Sequence, residues 1–456
     1  MQTKFDAAQL ADPDTSVSEK ILRACVHCGF CTATCPTYVL LGDELDSPRG
    51  RIYLIKQMLE TSARPSAHVV KHLDRCLSCL ACETFCPSGV SYRRIIDKGR
   101  AYVEEHYRRP FKDRALRWLL AHILPYRRRF RVALSAAALA QPLAGWFERT
   151  ASLRPLAVLL HLSRTARAAR RPAAQPRGED RGHALALSRS PSPSPSSPSP
   201  PQPEAGALRV GLLRGCVEPL LDPAIQEASE RLLRRAGCEI VRAEREGCCG
   251  ALPHHLGREA AALELARAAV DAWHRELEAG PLAAIVVTAS GCGPVIRDYG
   301  YLLRDDPRYA ARAARVSELA CDISELLERI GLPPITHLPP TVVAYHAACS
   351  LQHGLKVAEA PARLLRAAGF DVRTPQNAHL CCGSAGVYNV LQPDIAAELG
   401  ARKAASLDAL EPDVIAAGNI GCMLQIGQRS RVPAVHVAEL LDWATGGPKP
   451  ERLRNQ

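Results

Sequence analysis

The chain has 456 residues, a formal net charge of +11, 47% hydrophobic residues and only 5% aromatic residues. A chain of this length is expected to form more than one domain. It has 18 cysteines, but its length argues against a small secreted disulfide framework, as does the N-terminal stretch MQTKFDAAQLADPDTSVSEK, which has no apolar signal core. We therefore expect metal-bound thiolates in a reducing cytoplasm and not a secreted protein.

The first predicted region, residues 1–110, carries two matched cysteine runs. RACVHCGFCTATCP has the spacing C-x2-C-x2-C-x3-C-P, and CLSCLACETFCP repeats it. This spacing is typical of bacterial two-cluster ferredoxins, in which the fourth cysteine of each run ligates the other cluster. Structural zinc sites use C-x2–4-C pairs that are generally separated by longer gaps, so zinc is the poorer interpretation.

The two runs predict two interlocked [4Fe–4S] clusters. Three thiolates on one tight turn would hold three irons, and the fourth, beside proline, would reach the partner cluster. The predicted ligands are Cys25, Cys28, Cys31 and Cys86 for the first cluster, and Cys76, Cys79, Cys82 and Cys35 for the second. SPRGRIYLIKQMLE, residues 47–60, is predicted to form a helix between the runs, which indicates a mostly α-helical two-cluster ferredoxin domain.

Residues 111–205 are predicted to be an Arg-rich helical connector that continues into a disordered Pro/Ser linker. Seventeen Lys/Arg face four Asp/Glu between Arg108 and Arg181, so the positive charge belongs to this part of the chain. RALRWLLAHIL has a helical pattern, and SRSPSPSPSSPSPPQPE, residues 188–204, cannot bury a core. No nucleic-acid recognition motif accompanies the charge, so we expect no nucleic-acid partner. A membrane surface, an acidic partner protein or a solvated face without function would each explain it.

The rest of the chain contains an internal repeat, followed by a polar tail. It predicts two α/β domains with short parallel sheets, at residues 206–335 and 336–446. Each half has a cysteine, 31 further residues, a Cys-Cys-Gly turn and one later cysteine; we call these halves the CCG domains. Apolar strands such as LAAIVVTAS and DVIAAG alternate with helices such as DPAIQEASERLLRRAG, a pattern typical of parallel sheets. The cysteines would then lie at the carboxyl ends of strands, where open α/β sheets bind ligands.

The repeated cysteines predict a metal or Fe–S site in at least one CCG domain, because adjacent cysteines followed by glycine do not arise from core packing. The glycine is expected to let the backbone turn and approach a bulky ligand. Cys238 and Cys321 have no counterpart in the other half and are interpreted as buried core residues. His254, His255 and His346 are either hydrogen-bond donors to cluster sulfurs or ordinary packing residues. The predicted ligands are Cys216, Cys248, Cys249 and Cys292 in the first half, and Cys349, Cys381, Cys382 and Cys422 in the second.

The chain contains no G-x-G-x-x-G run, Walker loop or nucleophile elbow. We therefore expect no catalytic residue and no flavin or nicotinamide site on it. It is predicted to carry electrons, while the oxidation of the substrate takes place on another chain.

Five stretches resemble a known family: MQTKF, CVHCGFCTATCPTYVLLGDELDSPRGRIYLIK, LDRCLSCLACETFCPSGVSY, TASGCG and NIGC. The family joins a helical two-cluster ferredoxin module to two CCG domains. It includes iron–sulfur subunits of glycolate oxidase and of anaerobic glycerol-3-phosphate dehydrogenase, lactate-utilisation proteins and heterodisulfide reductase subunits. The likeness is greatest to the glycolate oxidase iron–sulfur subunits.

The resemblance implies an electron-transfer subunit of a complex with two FAD-binding flavoprotein subunits. These partners would oxidise glycolate to glyoxylate, with D-lactate as a second candidate substrate. FAD would lie on the partners and not on this chain, which would pass the electrons to a membrane or quinone acceptor. We expect a cytoplasmic protein that is peripheral on the inner face of the cell membrane, because the uncharged run at residues 132–147 is too short to span a bilayer.

Two alternatives remain at this point. One is the iron–sulfur subunit of a related 2-hydroxyacid or glycerol-3-phosphate dehydrogenase. The other is a thiol/disulfide enzyme like heterodisulfide reductase, whose CCG domains end in C-x-x-C. Val295 and Gln425 stand at the last position of that motif here, and this departure disfavours the reductase.

Overall fold

The computed structural model describes residues 1–143, 160, 163–164, 207–336 and 339–454. The predicted Pro/Ser linker, residues 188–204, lies outside them. The predicted fold class is confirmed: a mostly helical domain precedes two α/β domains, each with a four-stranded parallel sheet. No helix in the described ranges is both long and apolar enough for a bilayer span.

The described N-terminal part, residues 1–143, is helical. Its helices are α1 (Ala7–Leu10), α2 (Pro13–Ala24), α3 (Phe30–Ala33), α4 (Pro36–Leu41), α5 (Pro48–Glu60), α6 (Ala67–Asp74), α7 (Ala81–Thr84), α8 (Tyr92–His106), α9 (Phe111–Ile123) and α10 (Arg127–Leu139), with 3-10 turns at Glu44–Asp46 and Gln141–Leu143.

The helix predicted between the cysteine runs is α5. Ser47 caps it by accepting a hydrogen bond from the Gly50 N–H at 3.0 Å, and Pro48 follows at the first helical position, a favourable start for a helix. α5 packs closely on α8, since a Cβ at Gly99 would lie 2.9 Å from a side-chain carbon of Ile55. This crossing brings the two cysteine runs, which lie before α5 and before α8, onto one compact domain.

The first CCG domain contains β1 (Leu208–Leu212), α11 (Glu218–Leu221), α12 (Pro223–Arg235), β2 (Cys238–Val241), α13 (Ala251–His255), α14 (Glu259–Ala279), β3 (Ala284–Val287), α15 (Gly293–Ile296), α16 (Tyr299–Leu302), α17 (Ala310–Leu319), β4 (Ala320–Asp322) and α18 (Ile323–Ile330). The second contains β5 (Val342–His346), a π-turn (Ser350–Gly354), α19 (Ala360–Ala367), β6 (Asp371–Arg373), α20 (Tyr388–Leu391), α21 (Pro393–Asp408), β7 (Val414–Ala417), α22 (Ile420–Gly427), β8 (Ala434–His436) and α23 (Val437–Ala444).

The two sheets have equivalent topology. Their strand orders are β2-β1-β3-β4 and β6-β5-β7-β8, with every pairing parallel. The outer strands β4 and β8 are additional to the predicted pattern, because each continues directly into the helix that follows it, without turn residues to mark its end. The two halves share one hydrophobic core, in which Val210 and Val286 of the first sheet pack with Val343 and Val414 of the second.

The end of the chain differs from the expected polar tail. Leu453 is buried, and Arg452 Nη2 lies 2.6 Å from Asp222 Oδ2 at the start of α12. The last described residues therefore fasten the second CCG domain to the first. Asp442 of α23 makes a similar link, because it is buried and accepts hydrogen bonds from Arg231 and Arg235 of α12.

Candidate iron–sulfur sites

The two cysteine runs of the N-terminal domain fold into turns of the same unusual shape. The second and fourth residues after the first cysteine are left-handed in both runs: His27 (φ 56°) and Gly29 (φ 85°), then Ser78 (φ 50°) and Leu80 (φ 63°). Residues other than glycine rarely adopt this conformation, and such strain concentrates at functional sites. Turns that include left-handed residues aim backbone N–H groups into a concavity that favours an anion.

The structure brings the eight thiols of these runs together in two groups of four. One small cavity is lined by Cys25, Cys28, Cys31 and Cys86, and Cys82 also lines it. A second is lined by Cys35, Cys76, Cys79 and Cys82. Each group takes three cysteines from one run and the fourth from the other run, which is the exchange that we expect from the spacing.

The surroundings of the two groups suit Fe–S clusters. No carboxylate lines either cavity among the described residues, and soft thiolates select iron–sulfur clusters. The Ser78 N–H donates to Cys76 Sγ at 3.4 Å and the Val90 N–H to Cys86 Sγ at 3.5 Å. Burial raises the pKa of Cys31 to about 11, so without a bound metal this thiol is neutral at pH 7, and metal binding favours its thiolate.

The two groups differ in their distance from solvent. In the first, Cys28 is exposed, and Cys31 and Cys86 are half-buried. Val26 and Phe30 beside Cys28 are also exposed. In the second group, Cys35, Cys76 and Cys82 are buried. The first group therefore opens onto the surface, and the second lies inside the molecule.

A buried cation adjoins the second group. Arg51 is 1% exposed, and its Nη1 lies 3.8 Å from Cys35 Sγ. Burial alone would lower the pKa of Arg51, but Cys76, Tyr92 and other neighbours raise it overall, so the guanidinium stays charged. The Tyr92 hydroxyl donates to Cys76 Sγ at 3.7 Å. The sequence showed Arg51 only as one residue of a helix, and nothing in the pattern indicated that it points at the thiols.

The CCG cysteines form two equivalent chains of thiols. In the second half, Cys349 and Cys381 have their sulfurs 3.6 Å apart, and those of Cys382 and Cys422 are 3.4 Å apart. Hydrogen bonds from the thiols of Cys381 and Cys422 lower the pKa of Cys382. In the first half, the thiols of Cys216 and Cys249 lower the pKa of Cys248 in the same way.

Both chains of thiols face a single cavity, which is the most important feature of the CCG domains. The cavity has a volume of about 320 Å³, and its lining includes Cys216, Cys248, Cys249, Cys292, Cys349, Cys381, Cys382 and Cys422. Helix α8 of the N-terminal domain and helices α9 and α10 also contribute to the lining. The two candidate CCG sites are therefore parts of one cavity between the domains.

The second CCG site has two further features. The side chain of His346 is buried, and one of its ring nitrogens lies with the sulfurs of Cys382 and Cys422 within 4.8 Å. Burial lowers its pKa, which favours the neutral imidazole that ligates metals. Lys403 is buried nearby, and its Nζ donates to Asn377 O at 2.8 Å. His346 was a candidate from the sequence, whereas Lys403 on α21 gave no sequence signal.

The two histidines of the first CCG domain, His254 and His255, differ in their contacts. His254 Nε2 lies 3.0 Å from Asp97 Oδ2 of α8, so this histidine joins the first CCG domain to the N-terminal domain. His255 lines the cavity, and its Nδ1 is buried with no partner among the described residues.

The glycine of each CCG turn lies against the helix that follows the turn. Gly250 and Gly383 both have a φ of 83°, so the turn itself agrees with the prediction. A Cβ at Gly250 would lie 2.9 Å from Ala262 O, and one at Gly383 would lie 2.8 Å from Ala396 O. A close approach that requires glycine is therefore made to the carbonyls of α14 and α21.

The two CCG domains meet at the stretches TASGCG and NIGC. Asn419 Nδ2 donates to Ser290 Oγ at 3.1 Å, and the hydroxyls of Ser290 and Ser350 are 2.9 Å apart. The positions that end C-x-x-C in heterodisulfide reductases are structural here. Val295 is buried, and Gln425 Nε2 donates to Ala396 O at 2.7 Å.

The second thiol group of the N-terminal domain adjoins the second CCG site. Cys79 and Cys349 pack around the same small hydrophobic cluster, which contains Cys381 and Leu77. Burial and then the neighbouring Cys349 raise the pKa of Cys79. The thiol groups thus form a continuous series from exposed Cys28 to the cavity of the CCG domains.

Two family profiles match the chain in agreement with this geometry. The 4Fe-4S dicluster domain matches residues 21–90, and the Cysteine-rich domain matches residues 210–297 and 343–427. The fold and the thiol groups therefore define an iron–sulfur protein of electron transfer, with a dicluster domain followed by two cysteine-rich domains.

Curated relatives specify the family further. The chain is 38% identical to the glycolate oxidase iron-sulfur subunit of Escherichia coli (strain K12), over 97% of this chain and 99% of that protein. It is 32% identical to the probable glycolate oxidase iron-sulfur subunit of Bacillus subtilis (strain 168), over 94% and 95%. Lactate utilization protein A of Bacillus velezensis is 27% identical over 52% of this chain and 99% of that protein. The chain belongs to the family of glycolate oxidase iron–sulfur subunits, and it is thus a subunit of an oxidoreductase.

Proposed function

We propose that this chain conducts electrons within a complex that oxidises glycolate to glyoxylate. It would receive them from FAD on two flavoprotein partners and pass them to a membrane or quinone acceptor, with D-lactate as a second candidate substrate. The observation that carries the proposal is the continuous series of thiol groups from exposed Cys28, through Cys79 and Cys349, to the CCG cavity. The likeness to the Escherichia coli subunit along 97% of the chain supports glycolate as the substrate.

Each thiol group has a proposed task. Cys25, Cys28, Cys31 and Cys86 would hold one [4Fe–4S] cluster, and Cys76, Cys79, Cys82 and Cys35 the other. The CCG cysteines would hold one or two further Fe–S or metal sites. Such clusters, when bound, take up and release single electrons.

The residues around the thiols determine where electrons would enter the chain and which thiol group is shielded from water. Exposed Cys28, with Val26 and Phe30, offers the first group to a partner. Burial of Cys35, Cys76 and Cys82 keeps water from the second. Arg51 and Tyr92 stabilise negative charge on the sulfurs of Cys35 and Cys76.

The proposal is tested in cells that lack this chain. Complementation with the native chain should restore glycolate oxidation measured with an artificial dye acceptor, whereas the double variant Cys28→Ser, Cys79→Ser, which loses one ligand of each cluster, should not. Cys238→Ala is the matched control, because Cys238 is buried at the start of β2 and outside the thiol groups. Full activity with the double variant would refute the proposal. Two FAD-containing flavoproteins should co-purify with the native chain.

A second candidate function is the reduction of a disulfide at the CCG cavity. The observation that favours it is the eight thiols facing one cavity, where a disulfide could accept two electrons and two protons to give two thiols. The purified chain alone, supplied with a reduced dye, would then reduce a disulfide. A third possibility is a scaffold whose CCG domains are purely structural. The iron content tests it, since about eight irons per chain would restrict the clusters to the N-terminal domain.

A further inference from the structure

Helices α9 and α10 have an outer side that differs from the rest of the surface. Phe111 is 76% exposed, Val132 70% and Leu139 80%, the three highest values among the exposed large hydrophobic side chains of the described residues. Trp118 and Tyr126 are exposed on the same helix pair. Five of the fourteen exposed large hydrophobic side chains in the described chain therefore lie on two short helices or, for Tyr126, in the turn between them.

The charges on this outer side are all positive. Between residues 108 and 140, Asp113 is the one acidic residue, and it is ion-paired with Arg109 at 3.1 Å and Arg117 at 2.9 Å. The exposed charged residues of the helix pair are Arg108, Lys112, Arg114, Arg128, Arg129 and Arg131. Basic and apolar side chains thus alternate on one surface.

The inner side of the same helices is fixed to the molecule. Leu120, Phe130 and Leu134 pack in a core shared with both CCG domains. Arg127 Nε donates to Gly215 O at 2.6 Å, and Arg117 Nη2 to Asp74 Oδ2 at 2.8 Å. Since the inner side is occupied in this way, the basic and apolar residues point away from the protein.

We propose that the outer side of α9 and α10 binds the surface of an anionic lipid bilayer. Helices with basic and apolar side chains lie in the membrane interface, and aromatic rings prefer the headgroup level. An acidic protein would match the charges, but the strongly exposed aliphatic side chains fit insertion between lipid chains better. Leu120, Leu124 and Phe130 line the cavity of the CCG thiols, so a membrane bound here lies directly behind that cavity. This proposal rests on the proposed function only where it implies that electrons from glycolate oxidation would reach the membrane.

The test uses the purified full-length chain with its clusters and sedimenting vesicles. Vesicles with about one-third phosphatidylglycerol should bind it, and pure phosphatidylcholine vesicles should bind it much more weakly. The triple variant Arg128→Gln, Arg129→Gln, Arg131→Gln should bind at least about 100-fold more weakly, since each basic residue near an anionic surface contributes about fivefold. A second variant, Phe111→Ser, Trp118→Ser, Leu139→Ser, should lose the binding that persists at high salt.

The matched control is Lys20→Gln, Arg64→Gln, Lys71→Gln, which removes three exposed charges from the N-terminal domain and should bind like the native chain. Circular dichroism should show all variants folded, because the replaced side chains are exposed. Equal binding of native and triple-variant chains, or charge-dependent capture by an acidic protein with no binding to vesicles, would overturn the proposal. Dye-linked glycolate oxidation in cells should be retained with the triple variant. If the native chain also fails to support this oxidation, the result counts against the proposed function and not against membrane binding.

Discussion

At the residue scale, the second thiol group depends on a buried cation. Arg51 is held by Asp46 at 3.3 Å and by the carbonyl oxygen of His72 at 2.7 Å, and it reaches Cys35 Sγ. Asp46 in turn accepts from Arg75 at 2.7 Å. One carboxylate therefore faces two guanidinium groups, and the net positive charge beside the thiols favours the more negative, reduced state of a cluster.

Replacing Arg51 should make the neighbouring cluster harder to reduce. In Arg51→Met the reduction potential of the cluster at the second thiol group should fall by about 60 mV or more, because charge near the sulfurs sets the potential. For one electron, 60 mV is about a tenfold change in the equilibrium constant for reduction. An electron paramagnetic resonance titration against potential measures this shift.

Two variants separate electrostatics from folding in this experiment. Arg51→Lys keeps the charge and should stay close to the native potential. Tyr92→Phe removes one hydrogen bond to Cys76 without uncovering Asp46, and should give a smaller shift of the same sign. An unchanged potential in both Arg51→Met and Tyr92→Phe would show that these contacts do not tune the site.

At the element scale, the CCG turns are constrained by the helices that follow them. Gly250 lies against α14 and Gly383 against α21, with carbonyl oxygens where a Cβ would be. The turn presents its cysteines only while this backbone contact is kept. The glycines therefore belong to the packing of strand, turn and helix.

Gly250→Ala should destabilise the protein more than a glycine replacement at an open position. A left-handed alanine costs about 1 kcal/mol, and overpacking against Ala262 O adds about 1–3 kcal/mol. Gly237→Ala is the control, since Gly237 has a φ of 82° and nothing within 4 Å of its Cβ position. Urea unfolding of the two variants measures the difference, and equal losses of unfolding free energy would contradict the role of the carbonyl contact.

The contact between α8 and α13 should respond to pH. Burial alone would lower the pKa of His254, but Asp97 raises it overall, and the same contact lowers the pKa of Asp97. A histidine whose folded-state pKa is raised stabilises the protein fully below its unfolded pKa of about 6.5, and this stabilisation is lost as pH rises through the folded-state pKa.

The difference in melting temperature between the native chain and His254→Gln should therefore be largest near pH 6 and shrink towards pH 9. Thermal unfolding across this range measures it. A constant difference from pH 6 to pH 9 would mean that the ion pair does not contribute.

At the scale of the whole molecule, local patterns predicted the parts well and their arrangement poorly. The cysteine spacing, the Ser47–Pro48 helix start and the repeated CCG turns each depend on neighbours in sequence, so the fold class could be predicted. Some contacts join residues that are distant in sequence, as for Cys79 with Cys349 and Asn419 with Ser290. The contact of Arg51 with Cys35 depends on the direction in which a helix faces. No periodicity encodes such contacts, and a single cavity for both CCG sites could not be foreseen.

The same limit explains the smaller differences. β4 and β8 each continue directly into the following helix, so no turn residues mark them in the sequence. The end of the chain is polar in composition but is held by Leu453 and by the ion pair of Arg452 with Asp222, a contact with a helix more than two hundred residues earlier.

The unequal burial of the two thiol groups of the N-terminal domain bears on how the protein matures. Exposed Cys28 remains within reach of an iron–sulfur carrier protein on the folded chain. Cys35, Cys76 and Cys82 are buried, and Cys79 packs beside Cys349 of the second CCG domain. On the folded chain the inner site is therefore less accessible to such a carrier than the first, and this burial favours loading of the inner site before the second CCG domain docks.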